Sequence, residues 1–181
     1  MKKLFISLPL ILCLITSCQD KTSKAELEKL KTQLELEDQN KEMLRQYYAE
    51  LDNTKIDSLD KFVDKYISTN FIIHFPGGID IEGKNGLLEY YTTSMKAFSD
   101  GAHIIDDVIA EKDKVAFRAT AKSKHTGEFN GIQPSDKEIQ VTFDGFWLIQ
   151  DGKVIEWWSE YDALGMMTQL GMELKMKEEN K

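Results

Sequence analysis

The sequence predicts an α+β domain: helices first, then long antiparallel strands that curl into a cone. Two observations carry that reading. Apolar residues recur at helical spacing between residues 43 and 98, and period-2 alternation with strong turn signals takes over from residue 103 to residue 161. A third observation concerns address. The chain opens with Lys2 and Lys3, an apolar run from Leu4 to Ile15, and Ile15-Thr16-Ser17-Cys18. That is the anatomy of a secretory signal, too short to span a bilayer.

Small residues before a cysteine resemble the bacterial lipobox, in which the cysteine becomes the first mature residue and carries lipid. The expectation is a signal peptide over 1–17 and a lipid on Cys18 that anchors the exported chain in the cell envelope, at the outer membrane. Cys13 would leave with the signal, so disulfides, cysteine nucleophiles and cysteine metal sites are excluded from the mature chain. Net charge is −8, and −10 once Lys2 and Lys3 are removed, which argues against nucleic acid as a partner.

Residues 18–40 read as a polar tether. Ser23-Lys24-Ala25-Glu26 fits a capping box that would open a helix, and Leu27, Leu30 and Leu34 follow at spacings of three and four. Either a spacer helix or a short coiled coil between two copies fits. The folded domain is expected over 41–172, with a charged tail at 173–181. Met43, Leu44, Tyr47, Tyr48 and Leu51 make one helical stripe. Asp57 is a cap for a second helix holding Leu59, Phe62, Val63 and Tyr66. Thr69 to Phe75 is a β-rich run stopped by Pro76-Gly77-Gly78, and Lys84 to Phe98 is helical again.

Strands are predicted at 103–110, 115–124, 138–149 and 153–161. Asp151-Gly152 is the strongest hairpin signal, and Gly165 and Gly171 bracket a short Met-rich helix. A twisted antiparallel sheet of this length curls, and helices over its concave face leave room for a pocket.

"HTGEFNGI-x-P" at 125–134, "DGKVIEWW" at 151–158, "D-x-x-x-x-x-x-QLG" at 162–171 and "NFIIHFP" at 70–76 come in an order and spacing that resembles the SnoaL-like polyketide cyclase (ester cyclase-like) family of the nuclear transport factor 2-like superfamily. The resemblance covers roughly residues 42–172. It implies a cone-shaped curved sheet with N-terminal helices on its concave face, a small-molecule pocket inside, and a homodimer. It also implies aldol-type ring closure by a carboxylate, with no metal or organic cofactor.

In that family pattern the acid/base carboxylate falls on Ser159 and a helper histidine on Gly145, so both proton-transfer positions are altered. A serine without a basic partner is a poor base near neutral pH. By strand alternation Ile155, Trp157, Ser159 and Tyr161 share one face with Phe143, Trp147 and Ile149, either as plain core or as an aromatic-walled ligand pocket with His74. Asp144, Glu156 and Glu160 have the opposite parity, and Asp144 joins His74 as a weak catalytic candidate. His125 reads as structural and His103 as a surface residue. Three scattered histidines without a thiol give no metal site. Three functions stay open: a lipid-anchored binder of a small, partly apolar molecule, an isomerase or cyclase using His74 and a displaced carboxylate, and a dimeric interaction module with a filled cavity.

Overall fold

The structure is a computed structural model that describes residues 16–173 and 175. The expected signal segment 1–15 and most of the tail lie outside the described residues, and the side chain of Cys18 is likewise not described. Helix α1 (Thr16–Leu51) runs unbroken for 36 residues, about 54 Å at 1.5 Å per residue. Ser23 therefore sits inside this helix and does not open it, and the tether and the first domain helix are one element. Nothing between Ser23 and Leu51 is a Gly or Pro, so nothing stops the helix. What changes along it is burial. Leu27, Leu30 and Leu34 are at least half exposed, whereas Leu44, Tyr47, Tyr48 and Leu51 are buried.

The junction between the two regimes is held by the tip of a hairpin. Glu37 accepts from the backbone N–H of Lys112 (3.0 Å), and the amide of Asn40 donates to the carbonyl of Lys112 (2.8 Å). Both backbone groups of that left-handed turn residue are thus satisfied by α1. No helix among the described residues is long and apolar enough to cross a membrane.

After a single 3-10 turn at Ile56–Ser58 come α2 (Leu59–Tyr66), β1 (Ile67–Phe75), β2 (Ile79–Glu82) and α3 (Gly83–Ala97). Then follow β3 (Phe98–Glu111), β4 (Lys114–His125), β5 (Glu138–Gln150), β6 (Lys153–Tyr161) and α4 (Ala163–Gln169). Asp57 lies in the 3-10 turn, and Ser58 takes the cap position of α2. The short edge strand β2 is absent from the sequence reading. Its four residues are too few to show a period.

The six strands among the described residues form one sheet in the order β2-β1-β6-β5-β4-β3. All pairs are antiparallel except β1 with β6, which makes the sheet mixed. Helices α1, α2 and α3 cover its concave face, and the core lies between: Tyr47, Tyr48, Phe62, Val63 and Tyr66 from the helices, and Phe71, Ile73, Val115, Phe117, Trp147 and Trp157 from the sheet. Ile155 departs from the expected alternation. Ile149 pairs with Val154 while Leu148 pairs with Glu156, so Ile155 is the extra residue of a bulge, and Val154 is fully buried.

Candidate functional site: the mouth of the cone

Adjacent strands place residues 145 and 159 side by side. Gly145 of β5 pairs with Ser159 of β6, Trp147 pairs with Trp157 one step deeper, and Phe143 pairs with Tyr161 one step nearer the open end. All six positions share the concave face, as strand alternation requires. Ser159 is 5% exposed. A Cβ on Gly145 would meet Phe117 Cζ at 2.2 Å and Cε1 at 2.4 Å. The space that a residue-145 side chain would occupy is therefore filled by a ring from the neighbouring strand.

The deep end of the cone is packed with aromatic rings. Tyr47 of α1 lies edge-on to Trp147 (5.0 Å between centroids) and to Trp157 (6.3 Å), and touches Tyr48, Phe62 and Tyr66 as well. Its hydroxyl is hydrogen-bonded to that of Tyr91 on α3. Burial holds both phenols, and that of Tyr48, well above the usual tyrosine range, so each stays a neutral donor. Four buried polar atoms among these rings have no hydrogen-bond partner among the described residues: Trp147 Nε1, Trp157 Nε1, Tyr48 Oη and Tyr66 Oη. A native interior normally pairs such groups. Exposure rises towards the end of the hairpin strands, with Phe143 half-buried and Tyr161 37% exposed.

His74 does not join this wall. On β1 the buried residues are Phe71 and Ile73, so His74 points to the convex face. When protonated, its ring donates from Nδ1 to Asp80 Oδ1 (2.8 Å) and from Nε2 to Glu156 Oε1 (3.0 Å), and it stacks on Trp158 at 5.3 Å. The Glu156 carboxylate, then that of Asp80, raises its pKa. The parallel register that sets His74 opposite Trp158 decides this, and the sequence does not show it. Asp144 is exposed on the same convex face, opposite Arg118 and Glu160, in a shallow depression of about 400 Å³ beside Phe146 and Trp158. His125 is fully buried, and its Nδ1 accepts from the backbone N–H (3.3 Å) of Ser135 and lies 3.2 Å from its hydroxyl, pinning the 126–137 loop.

His103, read from the sequence as a surface residue, is instead part of the cone's rim. Asp52, just beyond α1, accepts from the backbone N–H of His103 through Oδ2 (2.8 Å) and bonds Nδ1 of its ring through Oδ1 (2.5 Å). The ring packs 4.9 Å from Tyr48 and 5.9 Å from Phe143. It shares the face of Val108 and Ala110 only through an irregularity between Ile105 and Asp107 in the β3–β4 register, which alternation alone does not reveal. No group of three or more His, Cys, Asp or Glu side chains suited to a metal ion occurs among the described residues.

The family model for SnoaL-like polyketide cyclases matches residues 41–170. No curated protein matches the chain. Among solved structures, a candidate SnoaL-like polyketide cyclase from Jannaschia sp. CCS1 is 22% identical, with 77% of this chain and 96% of that one covered at a TM-score of 0.69. IdmH, a candidate polyketide cyclase from Streptomyces antibioticus, is 23% identical over 72% of this chain and 97% of its own, with a TM-score of 0.62. A protein of ketosteroid isomerase-like fold from Catenulispora acidiphila DSM 44928, solved with trimethylamine, is 11% identical over 73% and 94%, with a TM-score of 0.60. These likenesses carry the nuclear transport factor 2-like fold. With the family model spanning most of the described residues, the chain belongs to the SnoaL-like polyketide cyclase family.

Proposed function

We propose that this chain is a cell-envelope lipoprotein whose cone binds a small, partly apolar molecule without the family's acid/base pair. The observation that carries the binding is the set of unpartnered buried donors, Trp147 Nε1, Trp157 Nε1 and Tyr48 Oη, in an otherwise aromatic wall that ends at the more exposed Phe143 and Tyr161. Aromatic surface with a few placed polar groups is the general make-up of a small-molecule site. Ser159 and the Phe117-filled place beside Gly145 support the loss of the family's proton-transfer pair. Lipidation at Cys18 rests on the N-terminal residues, and the exposed helix 21–39 would hold the domain off the membrane.

Native mass spectrometry of the detergent-extracted full chain tests the binding. A small molecule should co-purify and be retained less by Tyr48→Phe. A chain free of any adduct, whose tryptophan fluorescence no aromatic or carbonyl compound quenches, would count against the reading. Cys18→Ala should move the protein from the membrane fraction to the soluble one. The ring-packed deep end favours a second reading, the dimeric interaction module. Its surface would be the convex face, where Phe146 and Trp158 touch and Ile104, Ile109 and Trp158 are 45%, 66% and 40% exposed. Sedimentation of Trp158→Glu as a monomer beside a dimeric parent would support it.

A further inference from the structure

We propose that Asp52 and His103 form a proton-transfer dyad at the mouth of the cone, acting on a small compound whose C–H is acidified by an adjacent carbonyl or comparable group. The inference rests on the small-molecule reading above and places the chemistry away from residues 145 and 159. Asp52 uses both carboxylate oxygens on one residue, the backbone N–H and the ring Nδ1 of His103. That pair of bonds fixes the ring's orientation and its tautomer. With Nδ1–H donating to the carboxylate, Nε2 keeps its lone pair. No described residue hydrogen-bonds Nε2.

The ring stands on the same face of β3 as Ile105, which packs against the core, and lies between two wall residues, Tyr48 and Phe143. The side chains of His103 and Asp52 are 22% and 19% exposed, which keeps them reachable yet partly desolvated. Tyr48, in contact with the imidazole, has a buried hydroxyl without a partner. A neutral phenol placed there can donate to negative charge developing on a substrate oxygen.

The step balances without a cofactor. Nε2 takes the proton, the C–H electron pair becomes the C=C bond of an enolate, and the carbonyl π pair moves to oxygen, where the Tyr48 hydroxyl would donate to it. The imidazolium then returns the proton to the far carbon of an enolate conjugated with a neighbouring C=C, the enolate oxygen pair re-forms the carbonyl, and the net result is migration of the double bond. His103 is the catalytic residue and Asp52 a positioning residue.

The probe for the test is 5-nitrobenzisoxazole, given to the detergent-extracted full chain. A base removes its ring C–H proton, the nitrile forms as the N–O bond breaks, and the phenolate leaves as a coloured product. The parent should show saturable turnover, and His103→Gln should lower kcat by about 10²-fold. His103→Ala should recover part of the loss in added imidazole. Asp52→Asn, which keeps an acceptor for the backbone N–H, should lower kcat with KM little changed and alter the pH profile. His74→Gln, on the outer face, should match the parent. Circular dichroism melts keep folding defects apart from these effects. Turnover undiminished in His103→Gln overturns the dyad. Quenching of tryptophan fluorescence by the probe without turnover also overturns it, while leaving the small-molecule reading standing. Neither quenching nor turnover removes both.

Discussion

Replacing Gly145 by alanine tests whether Phe117 occupies the place that a side chain at residue 145 would take. Glycine inside a strand is about 0.5–1 kcal/mol worse than alanine, so propensity alone predicts a small gain. Packing predicts the reverse. The new Cβ would lie 2.2 Å from Phe117 Cζ, 2.4 Å from Cε1 and 3.0 Å from Cε2, well inside contact distance. That ring is 5% exposed and wedged against Tyr48, Phe143 and Trp147 at centroid distances of 5.7, 5.9 and 5.7 Å, so it has little room to yield. Overpacking of this kind costs about 1–3 kcal/mol. The net expectation is a loss of about 1–2 kcal/mol after the propensity gain is subtracted. For a domain of this size each kcal/mol lowers Tm by about 3–4 °C. Leucine at 117 ends short of the Cε and Cζ atoms, so Gly145→Ala in a Phe117→Leu background should be neutral or stabilising. Urea unfolding of the two single variants and the double variant measures the coupling, expected at about 1 kcal/mol or more. Additive effects, or a Gly145→Ala protein as stable as the parent, would refute the claim that the ring fills this place.

Two further outcomes follow from the same geometry. Tyr47→Phe removes one half of the buried hydroxyl pair and leaves Tyr91 Oη unmatched, at a cost of about 1–3 kcal/mol, and Tyr47→Phe with Tyr91→Phe should cost less than the two single changes together; chemical denaturation reads both. His74 has a raised folded-state pKa, caused by Glu156 and then Asp80, so its contribution is complete below the unfolded value of about 6.5 and fades as pH rises through the folded one. His74→Gln should therefore lower Tm more at about pH 5.5 than at about pH 8.5, and an equal loss at both would show that the ring is held by stacking on Trp158 rather than by its charge.

Much of the cone was legible in the residues. Phe117, Ala119 and Ala121 alternate with Arg118, Thr120 and Lys122, and Asp151-Gly152 closes a tight hairpin, because both signals are local consequences of a pleated backbone. The concave face of β5 and β6 could be assigned in the same way for Phe143, Trp147, Trp157 and Ser159. The domain start expected at residue 41 leaves no mark on the backbone, because composition reports burial, and burial changes at Asn40 while α1 continues unbroken from Thr16.

The residue types by themselves determine that the domain is α+β and that one face of the terminal hairpin is aromatic. These depend on periods and spacings that the chain carries in itself. Tertiary structure decided the rest. The parallel pairing of β1 with β6 turned His74 outward to Asp80 and Glu156. The bulge at Ile155 put Val154 in the core. Phe117 closed the space beside Gly145, and the end of α1 brought Asp52 to His103 across 51 residues of chain. Each of these is a contact between segments distant in sequence, whose register and close approach are set by packing, which no local pattern encodes.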